Sequence, residues 1–549
     1  MANRWKDNEF RLPDTIIKSE HMGHGELKGA GDMLNDSFHG YNVVIEFIKS
    51  LLKLLKKEEK SSWCDPDFGP TDTDEYGAFS LYWTGKPPPA VGNSRYPDPT
   101  DLRWDRPVWK NGSHEEDSGE TGDGDNEDDE QDDEYDEYDE DDYGGSSGGG
   151  NEKWCTKGEL FKGGIAANDV KQGKLGDCWF LSALATLATQ PDKLRSCFCM
   201  TLVDEEWCLF GRKGLWEKCS AAGIIVCRFM KNFEWYYVII DDRIPVCDNA
   251  SGKPVFAHGD DPDELWVPLI EKAYAKLHGS YNTLIGGYID YGLSDLTGMV
   301  SEQVVLRPTH PGYHESTGKL WSGEHEPSRA KGNYGRPIDT SSKRSQSFFQ
   351  DLMERYRGGS LMGCSIQPDP GKKNGAKVEA KVGHGLHQRH AYSIVGVYEI
   401  EYSEVEVEKW YQEAQEYMKN EDPKVDEESA KTRFFLNMKE NDIDPAQELD
   451  YESCWKSNEI FEKYKKGGGE KILRFVACRN PWGRGEWTGP FGDESLPLFF
   501  RYRLNKARED YWDALNDRIP GTGNETEDEI ENKAANVNVS FGNDDGIFH

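Results

Sequence analysis

The feature that most constrains the fold of this chain is an acidic segment in its first third. Residues 115–142 contain 19 aspartates and glutamates and no lysine or arginine, and glycines and serines follow up to residue 150. Such a composition cannot bury enough apolar surface to offset the entropy lost on folding. We therefore predict a disordered acidic linker over residues 111–150, which separates an N-terminal extension, residues 1–110, from the longer remainder.

The acidic segment supplies about half of the net charge of −36. A charge of this sign argues against nucleic acid or an anionic membrane as the main partner, because both are negative themselves. The sequence shows neither a secretory h-region at its start nor an apolar run long enough to span a bilayer. Its 12 cysteines lack paired CxxC spacing, so we expect reduced thiols in a cytoplasmic protein.

A basic amphipathic helix is predicted within the extension, at residues 43–57. Apolar residues fall on one face and lysines on the other. Such a helix can contact a membrane or a partner's groove, but its apolar stripe can equally pack on its own domain.

After the linker, the pattern changes from helical to β-rich. We predict a buried strand at 234–243 and a helix at 265–276, both before residue 300. Further strands are predicted at residues 361–366, 391–398 and 472–478. Insertions are expected near 307–345 and 402–469. The last residues, 543–549, resemble the beginning of a β-strand that is cut short. This suggests a further domain beyond them.

The stretch QGKLGDCWFLSALA, residues 172–185, is the strongest chemical signal. Its apolar, alanine-rich part predicts a buried helix that begins at Cys178. The N-terminus of a helix carries a partial positive charge, which favours a thiolate nucleophile. Gln172 can offer its side-chain amide to an oxyanion that forms beside this sulfur. A buried structural cysteine is the alternative.

Two residues at the edges of β segments complete a catalytic pattern. His390 precedes one predicted strand, and Asn480 follows another in the stretch RNPWG. The order Cys, His, Asn is that of papain-like proteases. His390 would transfer protons, Asn480 would orient its ring, and Trp482 would shield their hydrogen bond from water. His384 and His387 compete for the role of the base.

Six motifs of this chain resemble the calpain protease core over nearly all of residues 150–549. They are QGKLGDCWFL from residue 172, DDRIP from 241, EKAYAK from 271, DLTG from 295, HAYS from 390 and NPWG from 480. The resemblance implies an α+β, papain-like core of two lobes. A helical lobe, residues 151–300, would carry Cys178, and an antiparallel β-rich lobe, residues 301–549, would carry His390 and Asn480.

The resemblance also implies calcium as a cofactor, which brings the two lobes of these proteases together. The residues that match the first calcium loop are Gly164, through its carbonyl, Asp169 and Glu271. Those that match the second are Glu486, Asp493, Asn543 and Asp545. Hard oxygen ligands from several loops suit calcium. Ile547 stands where the family has a further acid, and the C2-like and penta-EF-hand domains of conventional members are absent from the sequence.

The expected function is therefore that of an intracellular, calcium-dependent cysteine endopeptidase that makes limited cuts in proteins. Its substrates would bind as extended peptides through backbone hydrogen bonds, and no subunit is indicated. Two alternatives remain. A transglutaminase-like acyl transferase also uses Cys-Trp and His, but it normally has Asp where this chain has Asn480. A non-proteolytic, calcium-responsive interaction protein would instead use the acidic segment and the insertions.

Overall fold

The computed structural model describes residues 15–18, 38–71, 74–88, 96–110, 155, 157–247, 253–304, 313–314, 319–320, 343–366, 381–383, 385–401, 472–485 and 547–548. The acidic segment and the predicted insertion at 402–469 lie outside these residues, and so does most of the insertion at 307–345.

The helices are α1 (Phe38–Lys57), α2 (Ala78–Leu81), α3 (Cys178–Ala188), α4 (Pro191–Cys197), α5 (Leu215–Ala221), α6 (Trp266–His278), α7 (Ile289–Thr297) and α8 (Lys343–Arg357). Short 3-10 turns occur at Pro99–Asp101, Ala167–Asp169 and Tyr281–Leu284.

The strands are β1 (Ile16–Lys18), β2 (Leu102–Asp105), β3 (Met200–Val203), β4 (Glu206–Leu209), β5 (Ile224–Lys231), β6 (Glu234–Asp241), β7 (Ile244–Cys247), β8 (Tyr313–His314), β9 (Lys319–Leu320), β10 (Met362–Ser365), β11 (Lys381–Gly383), β12 (Leu386–His387), β13 (Ala391–Glu401), β14 (Ile472–Arg479) and β15 (Ile547–Phe548). All pairings between them are antiparallel.

Helix α3 lies at the centre of the larger hydrophobic core, which it shares with β5, β6, α6 and α7 and which is here called the helical lobe. Every residue of α3 is buried. Its alanines and leucines favour a helix and leave no polar face for water. Phe180 stacks on Tyr274 of α6 with 4.0 Å between ring centroids. On another side α7 comes so close that a Cβ at Gly292 would lie 2.8 Å from that of Ala183. Close packing therefore fixes the helix that begins at Cys178.

The N-terminal extension packs on this lobe. Strand β1 pairs with β6, and β2 pairs with β7. The buried ammonium of Lys276 in α6 binds the carboxylate of Asp65 and donates to Thr15 Oγ1 at 2.6 Å. Partners of opposite charge and satisfied donors are what a buried ammonium requires. The chain on the N-terminal side of the acidic segment is thus part of the lobe's core.

Helix α1 confirms the predicted basic amphipathic helix and shows where its apolar stripe lies. Val44, Ile45, Ile48 and Leu55 are buried in the core of the helical lobe. The lysines face solvent. The structure thus favours packing over insertion of this stripe into a membrane. Within the described residues, no helix combines the length and the apolar character that a membrane crossing requires.

A separate, smaller hydrophobic core lies on the sheet with the order β10-β13-β14-β15, which is here called the second lobe. Helix α8 covers one face, where Tyr356 and Met353 pack near Ile394 and Val397. Strands β10, β13 and β14 correspond to the three strands predicted in this half. Ile547 is buried in β15 opposite Arg479, so this residue contributes to the sheet.

The two lobes contact each other along α3. Ser393 Oγ in β13 donates to the carbonyl oxygen of Ser182 at 2.8 Å, and Thr186 Oγ1 donates to that of Met362 at 3.1 Å. Helix α3 therefore packs on both lobes, which places its first residue, Cys178, at their junction.

Candidate active site

The loop before α3 is held between the lobes by its backbone. The N–H of Gln172 donates to the carbonyl oxygen of Pro481 at 2.8 Å, and that of Lys174 donates to Val255 at 2.8 Å. A Cβ at Gly173 would lie 2.3 Å from the carbonyl oxygen of Phe256. Glycine is thus required where this loop passes another backbone, and the loop positions Cys178 against residues of the second lobe.

Gln172 lies in this loop, and its side-chain amide already makes one hydrogen bond. Its Nε2 donates to the carbonyl oxygen of Leu175 at 2.6 Å. An amide nitrogen has two N–H groups, so one is used to order the loop. The role of the other toward an oxyanion stays a prediction.

His390 and Asn480 are both fully buried and form a direct hydrogen bond. His390 Nε2 lies 2.7 Å from Asn480 Oδ1. The indole of Trp482 covers this pair, with 4.4 Å between its centroid and that of the His390 ring. An enclosed hydrogen bond is stronger than one in water because the local dielectric is low.

The surroundings of Asn480 determine which nitrogen of His390 carries a proton. Asn480 Oδ1 accepts from the N–H of Trp482 at 3.1 Å, and Nδ2 donates to the carbonyl oxygen of Gly485 at 3.0 Å. A backbone N–H can only donate and a carbonyl can only accept, so the amide has one orientation. Because an oxygen faces His390, Nε2 carries the proton of the neutral ring, and Nδ1 carries the lone pair.

Contacts around Tyr392 connect Cys178 with His390. The Tyr392 ring packs at right angles to that of His390, with 5.1 Å between centroids. Burial raises the pKa of Tyr392, and the neighbouring thiols of Cys364, Cys478 and Cys178 add to this effect. Cys178 therefore lies within electrostatic reach of a side chain that touches His390. The structure joins His390 directly to Asn480, and the role of Cys178 beside this pair stays a prediction.

His387, a second candidate for the base, is buried on another side of Trp482. Its ring lies 4.7 Å from that of Trp482 and 6.3 Å from that of His390. Its backbone N–H donates to the hydroxyl of Tyr392 at 2.9 Å. The hydrogen bond to Asn480 thus belongs to His390. His384 lies outside the described residues.

Asp169 lies beside Glu264, a carboxylate that is not among the predicted calcium ligands. Burial raises its pKa to about 6, and burial together with the charge of Asp169 raises the pKa of Glu264 to about 9. Asp169 accepts from the N–H of Ala166 at 2.7 Å, and Glu264 from that of Lys162 at 3.3 Å. Gly164 belongs to the loop between these two donors. The run of acidic residues before α6, which includes Glu264, is the sequence signal that could have indicated this carboxylate.

Glu271 was predicted as a calcium ligand, but its carboxylate does not lie beside Asp169. The predicted set of ligands for the first calcium site is corrected accordingly. Both of its carboxylate oxygens accept from the N–H of Ala257, at 3.2 and 3.0 Å. Burial raises its pKa well above the ordinary value, and the charge of Asp177 and a hydrogen bond with that residue add to the effect. Because Glu271 projects from α6 toward the loop before Cys178, its neighbour is Asp177 instead of Asp169.

The second predicted set, Glu486, Asp493, Asn543 and Asp545, lies outside the described residues. Within the described ranges, no group of three or more His, Cys, Asp or Glu side chains forms a metal site. The pair Asp169 and Glu264 would therefore need backbone carbonyl oxygens or water to complete a coordination shell, and both are ligands that calcium accepts.

Comparisons with known proteins identify the core. Residues 150–414 match the model of the calpain family cysteine protease. Calpain-8 of Mus musculus is 27% identical over 370 residues, which are 66% of this chain and 35% of calpain-8. The calpain-type cysteine protease DEK1 of Arabidopsis thaliana is 35% identical over 242 residues, 44% of this chain and 9% of that protein.

A third relative matches this chain over a similar length. The calpain-2 catalytic subunit of Gallus gallus is 26% identical over 377 residues, 66% of this chain and 37% of the subunit. The chain thus matches a little more than a third of calpain-8 and of the calpain-2 catalytic subunit, and less than a tenth of DEK1. The matched region includes Cys178 and His390 and the helical lobe that positions the cysteine. Residues 150–414 are therefore a domain of the calpain family of cysteine proteases.

Proposed function

We propose that this chain is a calcium-activated cysteine endopeptidase in which Cys178 is the nucleophile, His390 the general acid and base, and Asn480 the residue that orients it. The observation that carries the proposal is the hydrogen bond between His390 and Asn480, which puts the proton of the neutral ring on Nε2 and the lone pair that a general base requires on Nδ1.

The reaction follows from these positions. His390 takes the thiol proton of Cys178 at Nδ1, and the sulfur attacks the carbonyl carbon of the scissile peptide bond. The remaining N–H of Gln172 stabilises the oxyanion. His390 then donates its proton to the departing amine, which leaves an acyl-enzyme. Water attacks the thioester while His390 removes a proton from it, and the sulfur departs as the acid product is released.

The substrate would be an extended segment of a protein. The junction is formed from loop and strand-end backbone, which provides donors and acceptors for a peptide main chain. Recognition through the backbone favours accessible, unstructured segments and therefore limited cleavage. We place the enzyme in the cytoplasm, because a reducing compartment preserves a catalytic thiol.

Calcium fits the pair Asp169 and Glu264, with the carbonyl of Gly164 as a further ligand. Burial disfavours the charged forms of both carboxyls, and for Glu264 the charge of Asp169 adds to this effect. A bound divalent cation would stabilise those charged forms. The pair is linked to the catalytic residues, because Arg479 Nη2 donates to the carbonyl oxygens of Asn168 and Val170 at 3.1 and 2.7 Å. Those two residues flank Asp169, and Arg479 precedes Asn480.

Hydrolysis of casein by purified protein tests the proposal. Wild type should cleave in the presence of calcium and reductant and should be inactive with a chelator. Cys178→Ala should be inactive in both conditions while its thermal unfolding is unchanged, because the substitution removes one sulfur atom. Cys64→Ser, at an exposed cysteine, is the matched control and should retain activity.

Three results would contradict this function. Activity in Cys178→Ala would exclude the assigned nucleophile. An intact wild type that leaves casein uncut with calcium would favour the non-proteolytic alternative. If amine incorporation into casein exceeded peptide hydrolysis, the transglutaminase-like alternative would replace the proposal.

A further inference from the structure

Asp177 occupies the N-cap position of α3, but its side chain does not cap the helix. An aspartate at this position usually accepts a hydrogen bond from an N–H group of the first turn, and the side chain of Asp177 makes no such bond. Its backbone carbonyl oxygen accepts from the N–H groups of Phe180 and Leu181, at 2.8 and 3.1 Å. The carboxyl group that directly precedes Cys178 therefore serves a contact other than the helix cap.

That contact is with the carboxyl group of Glu271, which projects from α6. Both side chains are buried, and they form a hydrogen bond with each other. Two carboxylates have no donor, so a hydrogen bond between two carboxyl groups requires a proton on one of them. Burial raises the pKa of Glu271 well above its ordinary value, and the charge of Asp177 adds to the rise. The pair therefore holds one proton, on Glu271, and one negative charge.

Glu271 also binds the segment that runs beside the loop before α3. Both of its carboxyl oxygens accept from the N–H of Ala257, at 3.2 and 3.0 Å. The next residue, His258, pairs with Lys171 through both backbone groups, at 2.9 and 3.0 Å. One carboxyl group thus contacts the segment that holds the start of the loop and also Asp177, the residue at its end.

The groups around the pair leave its single negative charge in place. The phenol of Tyr281 is fully buried, and burial together with the charges of Glu271 and Asp177 raises its pKa well above the ordinary value, so it stays neutral. The ammonium of Lys272, the next residue of α6, binds Asp241. A second negative charge on the pair would oppose formation of a thiolate in the adjoining residue of the chain.

We propose that Glu271 is a positioning residue for the nucleophile. As a neutral carboxyl group it donates to the carboxylate of Asp177 and accepts from Ala257, and so it fixes the turn that presents the sulfur of Cys178. The inference rests on the proposed function, because it assumes that Cys178 is the nucleophile. Glu271 acts through Asp177 and not by contact with the substrate.

Two substitutions at this position separate the hydrogen bonds from packing. Glu271→Gln keeps a donor for Asp177 and an acceptor for Ala257, so it should retain most of the activity. Glu271→Leu has a similar size but neither group. Its kcat should fall by about 10²-fold, the effect of a shift near 1 Å at a catalytic group, while KM changes little. A fluorogenic peptide in calcium measures both, and Glu217→Leu, at an exposed position of α5, is the control that should keep full activity.

A second measurement detects the proton itself. Near neutral pH, the infrared difference spectrum between wild type and Glu271→Gln should contain the carbonyl band of a protonated carboxyl group, and this band should shift in heavy water. The measurement needs neither activity nor the leucine variant. Absence of the band would overturn the proposal even if Glu271→Leu did not fold.

The kinetic results distinguish this inference from the proposed function. Equal kcat values in Glu271→Leu and an active wild type would overturn the inference alone, and so would a loss in Glu271→Gln as large as that in Glu271→Leu. A wild type that leaves the peptide and casein uncut would overturn the proposed function, and with it the role of Glu271 in catalysis.

Discussion

Asn480 makes hydrogen bonds to His390, Trp482 and Gly485, and the backbone partners fix which end of its amide faces the imidazole. The sequence predicted the pairing of the histidine and the asparagine from their order alone. It could not predict the tautomer, because that depends on a turn in which Asn480, Trp482 and Gly485 come together. At the scale of residues, the chemistry of this site thus depends on one amide orientation.

Removal of this amide should impair catalysis less than removal of the base. Asn480→Ala should lower kcat/KM by roughly 10–100-fold, below the loss in His390→Ala, since a missing acid–base group costs about 10²–10⁴-fold. Peptide hydrolysis measured across pH checks this order, with circular dichroism as a control for folding. A larger loss in Asn480→Ala than in His390→Ala would contradict the assigned roles.

The loop before α3 shows what one element contributes. Its glycines differ in their surroundings: a Cβ at Gly173 would meet backbone at 2.3 Å, whereas one at Gly176 would make an ordinary contact of 3.4 Å with Ile285. The sequence indicated a glycine-bearing loop but not which glycine is required. That distinction arises from the segment around Phe256, which lies far along the chain.

This difference provides a matched pair of variants. Gly173→Ala should displace the loop and lower kcat by about 10²-fold, because a shift near 1 Å at a catalytic group has that effect. Gly176→Ala should retain most activity. Steady-state kinetics with a fluorogenic peptide measure both, and equal activities would show that the contact with Phe256 does not position Cys178.

The acid pair Asp169 and Glu264 is a second element with a measurable consequence. The folded protein holds these protons more tightly than the unfolded chain does, because both pKa values are raised. The pair therefore lowers the free energy of unfolding as pH rises from the ordinary carboxyl range through about 6 for Asp169 and about 9 for Glu264.

Glu264→Gln should remove much of this cost. In chelator near neutral pH, the variant should gain about 1–3 kcal/mol in free energy of unfolding, and it should need more calcium for activity. Urea unfolding and a calcium titration measure the two effects. Glu159→Gln, at a half-buried position nearby, is the control. A Glu264→Gln protein with unchanged stability and calcium requirement would exclude this carboxylate as a ligand.

At the scale of the whole molecule, local patterns predicted the elements better than their assembly. Helix α3 and strands β13 and β14 follow from apolar spacing that is visible in the sequence. The packing of the N-terminal extension does not, because the contact of Asp65 with Lys276 joins residues 211 positions apart. Contacts between distant residues also explain why Glu271 was predicted as a ligand and Glu264 was not. The sequence shows both acids in or near α6, but it does not show which one faces Asp169.

The central claim is that a thiol from one lobe is made reactive by an imidazole from the other. Its most direct test is the rate at which a peptidyl chloromethyl ketone labels the protein in calcium, with the modified residue identified by mass spectrometry. Wild type should be labelled at Cys178, more slowly in Asn480→Ala and slowest in His390→Ala. Labelling at another residue, or at Cys178 with the same rate in His390→Ala, would contradict the account.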